Sequence, residues 1–179
     1  MAAPVVGIAA TPDGKGYWLV ASDGGVFAFG SAPYVGSMAG TRLVAPVVGV
    51  ASSPSGRGYL LTASDGGVFA FGDATFHGSE GGRSLVAPVT GIAAAPNGGY
   101  WLTASDGGVF AFDCRYLGSM GARPLAAPVV GISATPDGGG YWLVGSDGGV
   151  FNFGDGTFSG AAVGSIGGIP VVGITRTYG

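Results

Sequence analysis

One histidine, one glutamate and one cysteine are all that 179 residues provide of the side chains most used in catalysis. His77 and Glu80 fall close together in one segment, and Cys114 stands alone. A lone thiol cannot close an internal disulfide, so cysteine says little about redox compartment. No Ser-His-Asp set, metal-ligand cluster or carboxylate pair outside a repeated turn emerges, so the sequence points to a non-catalytic chain without cofactor or metal. Charge is scarce as well, at 9% of residues and net −3, with seven basic residues scattered singly. Nucleic acid demands a clustered basic face, and this chain has none. No apolar run approaches the ~20 residues of a spanning helix. Met1-Ala2-Ala3 leads straight into the first recurring segment without a signal-peptide pattern. The chain reads as a domain cut from a longer protein, or as a mature domain preceded by an added start methionine.

Glycine is what the chain has in excess, at 39 of 179 residues, against a usual share of ~7%. With 47% hydrophobic and 11% aromatic residues, such a chain buries surface rather than staying disordered. The glycines are turn residues of an all-β protein with many short strands. At this length one domain can hide roughly 70% of its unfolded surface.

Ala-Pro-Val-Val-Gly recurs almost unchanged, anchored at Pro4, Pro46, Pro88, Pro128 and Pro170, which lie 42, 42, 40 and 42 residues apart. The single domain 1–179 thus divides into repeats 3–44, 45–86, 87–126 and 127–168, with a partial fifth at 169–179. A fixed period of this length marks stacked supersecondary units. In the first repeat, Val5-Val6-Gly7-Ile8-Ala9-Ala10-Thr11 predicts a strand ended by the turn Pro12-Asp13-Gly14. Gly16-Tyr17-Trp18-Leu19-Val20-Ala21 predicts a second strand and Val26-Phe27-Ala28-Phe29 a third, with an Asp-Gly type I′ hairpin between them. Tyr34-Val35 predicts a short fourth.

The middle strands are apolar on both faces, so each sheet must be covered on both sides. The expectation is a β-propeller-like fold of four ~42-residue, four-stranded blades plus one extra C-terminal strand. Alternatives are an open arc of blades from a larger propeller and a β-solenoid.

Segments 17–29, 59–71, 100–112 and 141–153 resemble the Gly-Tyr-Trp-Leu-Val-Ala-Ser-Asp-Gly-Gly-Val-Phe-Ala-Phe repeats of secreted, often multidomain bacterial proteins. In those, the repeats look like a propeller-type module beside hydrolase or cell-wall-associated domains. The resemblance spans nearly the whole chain. It implies blades and a secreted or cell-surface setting, and no defined activity.

Asp23, Asp65, Asp106 and Asp147, each preceded by serine, read as hairpin residues bonding their own turn backbone. Calcium would need six to eight oxygens, more than one carboxylate and one hydroxyl supply. Trp18, Trp101 and Trp142 are equivalent, with Leu60 in their place in repeat 2, and a Trp-to-Leu exchange suits packing. Asp73, Asp113 and Asp155 follow the third strand and read as turn residues, with Ser31 there in repeat 1.

The binding candidates are the aromatics of the fourth strand, Tyr34, Phe76, Tyr116 and Phe158. Arg42, Arg83 and Arg123 recur in the variable loops after them, either as solvated charges or as holders of a polar or anionic ligand. Two functions follow. One is a non-catalytic extracellular module binding carbohydrate or a cell-surface polymer. The other is a structural or self-assembling module, since Ile169-Pro170-Val171-Val172-Gly173-Ile174 duplicates the first strand. That surplus strand would begin a fifth blade, cap an edge, or pair with another chain as a homo-oligomer.

Overall fold

The computed structural model describes residues 3–175. The chain is all-β, with twelve strands in four three-stranded antiparallel sheets among the described residues. Repeat 1 forms β1 (Val5–Ala10), β2 (Gly16–Ala21) and β3 (Val26–Gly30); repeat 2 forms β4 (Val47–Ser52), β5 (Tyr59–Ala63) and β6 (Val68–Phe71). Repeat 3 forms β7 (Val89–Ala94), β8 (Tyr100–Ala104) and β9 (Val109–Phe112); repeat 4 forms β10 (Val129–Ala134), β11 (Gly140–Gly145) and β12 (Val150–Gly154). Each sheet keeps its strands in chain order.

Pairing register sorts the side chains into two faces. Leu19 lies opposite Ile8 and Phe27, and Trp18 opposite Ala9 and Ala28. Period-2 alternation therefore puts Ile8, Tyr17, Leu19, Phe27 and Phe29 on a front face. Ala9, Trp18, Val20, Val26 and Ala28 form the rear. The rear of one repeat packs on the front of the next. Trp18, Val20 and Val26 share a cluster with Val47, Val50, Tyr59 and Leu61. Leu60 and Val68 likewise meet Val89, Ile92, Tyr100 and Leu102, and Trp101 and Val109 meet Val129, Ile132, Tyr141 and Leu143. The core is thus three equivalent interlayer clusters.

The leading strands β1, β4, β7 and β10 run side by side through these junctions. Glycine eases the approach: a Cβ on Gly49 would stand only 3.2 Å from the Ile92 Cγ2 of the next leading strand. The serine before each hairpin stitches neighbours together. Ser22 donates its N–H to the Pro4 carbonyl and accepts from the Val47 N–H, both at 2.9 Å.

Two expectations need correction. Tyr34-Val35 and its equivalents join no ladder, so each repeat has three strands. Side chains hold this segment instead. The Trp18 Nε1–H donates to the Pro33 carbonyl at 2.8 Å and the Tyr59 hydroxyl to the Gly36 carbonyl. The hairpins, too, are three-residue connections rather than type I′ turns. Ala21 pairs with Gly25, Gly24 N–H closes on the Ala21 carbonyl, and Gly24 takes the left-handed conformation at φ 81°.

Of the partial fifth repeat, Val171 donates to the Ser146 carbonyl at 2.9 Å, as Val47, Val89 and Val129 do to their serines. It seats beside β10 without forming a strand. Its residues 176–179 lie outside the described residues.

Candidate functional site

Tyr34, Phe76, Tyr116 and Phe158 are 60%, 54%, 58% and 56% exposed. Their uniformity is unlike the repeated Trp18 and Trp101, which are fully buried. The backbone around the rings is anchored from one side or from both. Ahead of the ring, carbonyls of Pro33, Arg115 and Thr157 accept Nε1–H of Trp18, Trp101 and Trp142, all at 2.8 Å. Behind it, carbonyls of Gly36, Gly78 and Gly118 accept the hydroxyls of Tyr59, Tyr100 and Tyr141 from the following repeat. Both anchors hold Tyr34 and Tyr116, whose hydroxyls also bond Ser37 and Ser119 at 3.2 and 3.0 Å. Phe76 lacks the tryptophan anchor because Leu60 replaces it. Phe158 has no tyrosine anchor among the described residues. Burial pushes the three anchoring phenols upward, Tyr141 to about 12, which keeps them hydroxyl donors.

The arginines differ among themselves. Arg83 Nη1 reaches the Glu80 carboxylate at 3.1 Å. Glu80 is buried and sits where Met38 and Met120 stand in repeats 1 and 3, each donating its N–H to a hairpin glycine. Its carboxylate therefore occupies a hydrophobe's place and holds Arg83 to itself. In repeat 3 Arg123 holds the Arg83 position beside Met120, whereas in repeat 1 that position is Thr41 and Arg42 follows it. Among the described residues neither Arg42 nor Arg123 forms an ion pair. The hairpin aspartates behave as turn caps. Asp23, Asp65, Asp106 and Asp147 accept the N–H two residues on, at 2.9–3.0 Å.

A cleft of ≈ 590 Å³ opens where the period fails, lined by Asn97, Trp101, Asp113, Cys114, Arg115 and Asp137 among others. Repeat 3 is two residues short, and the structure shows both gaps. One lies in the turn at Asn97, the other after β9. Asp113 takes the left-handed position of Gly30, Gly72 and Gly154, at φ 52° against 64–66°. Cys114 joins the core cluster where Ala32 and partly buried Ala74 sit in theirs. Asp113 is thus no counterpart of Asp73 and Asp155. Its carboxylate lies 3.6 Å from His77 Nδ1, and its carbonyl accepts Asn97 Nδ2–H at 2.6 Å. The Cys114 thiol donates to the Tyr100 carbonyl at 3.2 Å. Burial raises it to about 11, so it holds almost no thiolate at neutral pH and is a packing group rather than a nucleophile.

In the other repeats a carboxylate ties the first turn to the end of the third strand. Asp13 bonds Thr11 and Ser31, while in repeat 2 the roles reverse and Asp73 bonds Ser53 and Ser55. Those hydroxyls hold both carboxyls below the usual range. In repeat 4 both positions are acidic. Asp137 is held low by the Thr135 hydroxyl, the Gly139 N–H and the Asp155 carboxyl. Sequence reading missed this carboxyl pair, although the Asp-for-Ser exchange at 31, 73 and 155 was its visible signal. The chain matches no protein-family model and no curated protein sequence.

Proposed function

We propose that the four sheets are blades of a propeller-type arc serving as a non-catalytic, extracellular binding module for carbohydrate or another cell-surface polymer. The single observation behind this is the row of four equivalent aromatic rings, each more than half exposed on an anchored backbone. Anchoring matters because a ring already held in place loses little freedom on binding. Aromatic anchors also carry much of the free energy where binding faces are small. A repeating row suits a repeating ligand.

The propeller reading is supported by the side-by-side leading strands. Residues 8–10, 50–52, 92–94, 132–134 and 174–175 line one shared cleft, as inner strands around an axis would. The secreted setting rests on the repeat resemblance alone.

Retention on insoluble glycans and cell-wall preparations tests the reading. Tyr34→Ala and Tyr116→Ala should each weaken retention more than Phe76→Ala or Phe158→Ala, because the doubly anchored rings are the better ordered. Arg42→Ala should matter more than Arg83→Ala, whose charge is neutralised by Glu80. Undiminished retention of the fourfold aromatic variant sinks the proposal.

A further inference from the structure

The three repeat junctions use one interface, and within the described residues the two halves of that interface lie uncovered on repeats 1 and 4. At the junctions the front-face residues are sealed: Val47, Val89 and Val129 are 0–1% exposed, and Tyr59, Tyr100 and Tyr141 are 0% exposed. Their equivalents in repeat 1, Val5, Ile8 and Tyr17, are 56%, 65% and 40% exposed, joined by Phe27 and Phe29. At the other end, among the described residues, Trp142 has no tyrosine ring such as Trp18 finds in Tyr59 at 5.3 Å and Trp101 in Tyr141 at 5.4 Å. Segment 170–174 repeats Pro4-Val5-Val6-Gly7-Ile8 residue for residue and already sits where the next leading strand would lie. Among the described residues it has no sheet partner corresponding to β2.

We infer that a second copy of this chain docks head to tail. The front of its repeat 1 covers the rear of repeat 4, and residues 4–8 of one copy compete with 170–174 of the other for the seat beside β10. The choice of partner follows from continuity: sequences of these two kinds mate three times within the chain. Neither end adds charge, since Val5, Ile8, Tyr17, Leu19, Phe27 and Phe29 face Trp142, Val144 and Val150. Two exchanges weaken the fourth junction relative to the internal ones. Asn152 stands where Ala28, Ala70 and Ala111 do, and Ser159 where Val35 and Leu117 do. Asn152 bonds the Gly156 carbonyl at 2.8 Å, so covering it strands no donor there. Because the seat is filled in cis, association of the full chain is restrained by its own C-terminal segment. A contact of this heterologous kind produces closed rings or open filaments.

Sedimentation velocity over a concentration series on the 179-residue chain tests this. Ile174→Asp unseats the segment, whose side chain packs on Gly131, and should lower the apparent dissociation constant by at least ~10-fold. Adding Ile8→Asp, at a site open to solvent in the monomer, should return that variant to monomer with an unchanged circular dichroism spectrum. Asn152→Ala restores the residue of the other repeats and should tighten association in the otherwise native chain. Folded Ile174→Asp protein that associates no more than the native chain overturns the inference and leaves the repeat 1 face to another partner. Oligomers that persist with Ile8→Asp overturn it too.

Discussion

Tyr59, Tyr100 and Tyr141 each place a ring in an interlayer cluster and send a hydroxyl back across the junction to a glycine carbonyl. Tyr100 has a second partner, accepting the His77 N–H at 3.1 Å. Tyr100→Phe therefore removes an acceptor and a donor at once and should cost about 1–3 kcal/mol. Tyr59→Phe removes the donor to the Gly36 carbonyl and a weaker approach of the Val35 backbone, so it should cost no more, about 1–2 kcal/mol. Urea unfolding of the two variants compares them, and a larger cost for Tyr59→Phe would discount the His77 contact. The carboxylates predict a pH effect. Asp73 has a folded pKa below its unfolded value, chiefly through the Ser55 and then the Ser53 hydroxyl. Its stabilising contribution is complete above the unfolded pKa of ~3.9 and is lost as pH falls through the folded value. Exposure keeps the effect small. Thermal melting across the acid range should show a shallower acid loss for Ser55→Ala than for the native chain.

At the level of the element, the two one-residue gaps of repeat 3 compensate each other. In repeat 1 the Ser31 N–H donates to the Lys15 carbonyl, and in repeat 4 Asp155 does so to Gly139, both at 3.1 Å. Repeat 3 is short at both ends of this contact, and Asn97 bridges to the Asp113 carbonyl instead. Inserting one residue between Gly98 and Gly99, or between Asp113 and Cys114, should destabilise the protein, whereas both together should recover most of the loss. Such coupling is expected of residues sharing one contact, and simple additivity in urea unfolding would contradict it. This gap pair also marks how far sequence carries. Val5–Ala10, Gly16–Ala21 and Val26–Gly30 were legible because apolar runs between Pro-Asp-Gly and Asp-Gly-Gly fix strands by local chemistry. The segment at Tyr34 was not, because its β-prone residues are held by Trp and Tyr side chains from elsewhere. Asp113 was mistaken for a partner of Asp73 because only backbone conformation shows which position was lost. The exposed aromatic row was readable as a pattern, but its anchoring depends on neighbouring repeats.

Across the whole molecule, stability is a sum over layers and junctions, and the middle junction is built differently. Leu60 takes the place of Trp18 and Trp101, so Tyr100 faces no indole and the Thr75 carbonyl receives no Nε1–H. The smaller side chain gives up roughly 60–80 Å² of apolar burial, about 1.5–2 kcal/mol, and a hydrogen bond of about 1 kcal/mol. His77 brings a contact to the Tyr100 ring at 6.2 Å and one to Asp113 at 3.6 Å. A partly exposed pair of that kind contributes about 0–1 kcal/mol, too little to offset the deficit. The junction between repeats 2 and 3 should therefore be the weakest internal one, dividing the chain into halves of two repeats. Native-state hydrogen exchange should show the amides that bridge it, Val89 to Ser64 among them, opening at lower free energy than Val47 and Val129. Leu60→Trp places an indole in a seat its counterparts already fill and should stabilise the protein by about 1 kcal/mol. A destabilised Leu60→Trp variant, or Val89 protection equal to that of its two counterparts, would show that the deficit is made up elsewhere in the junction.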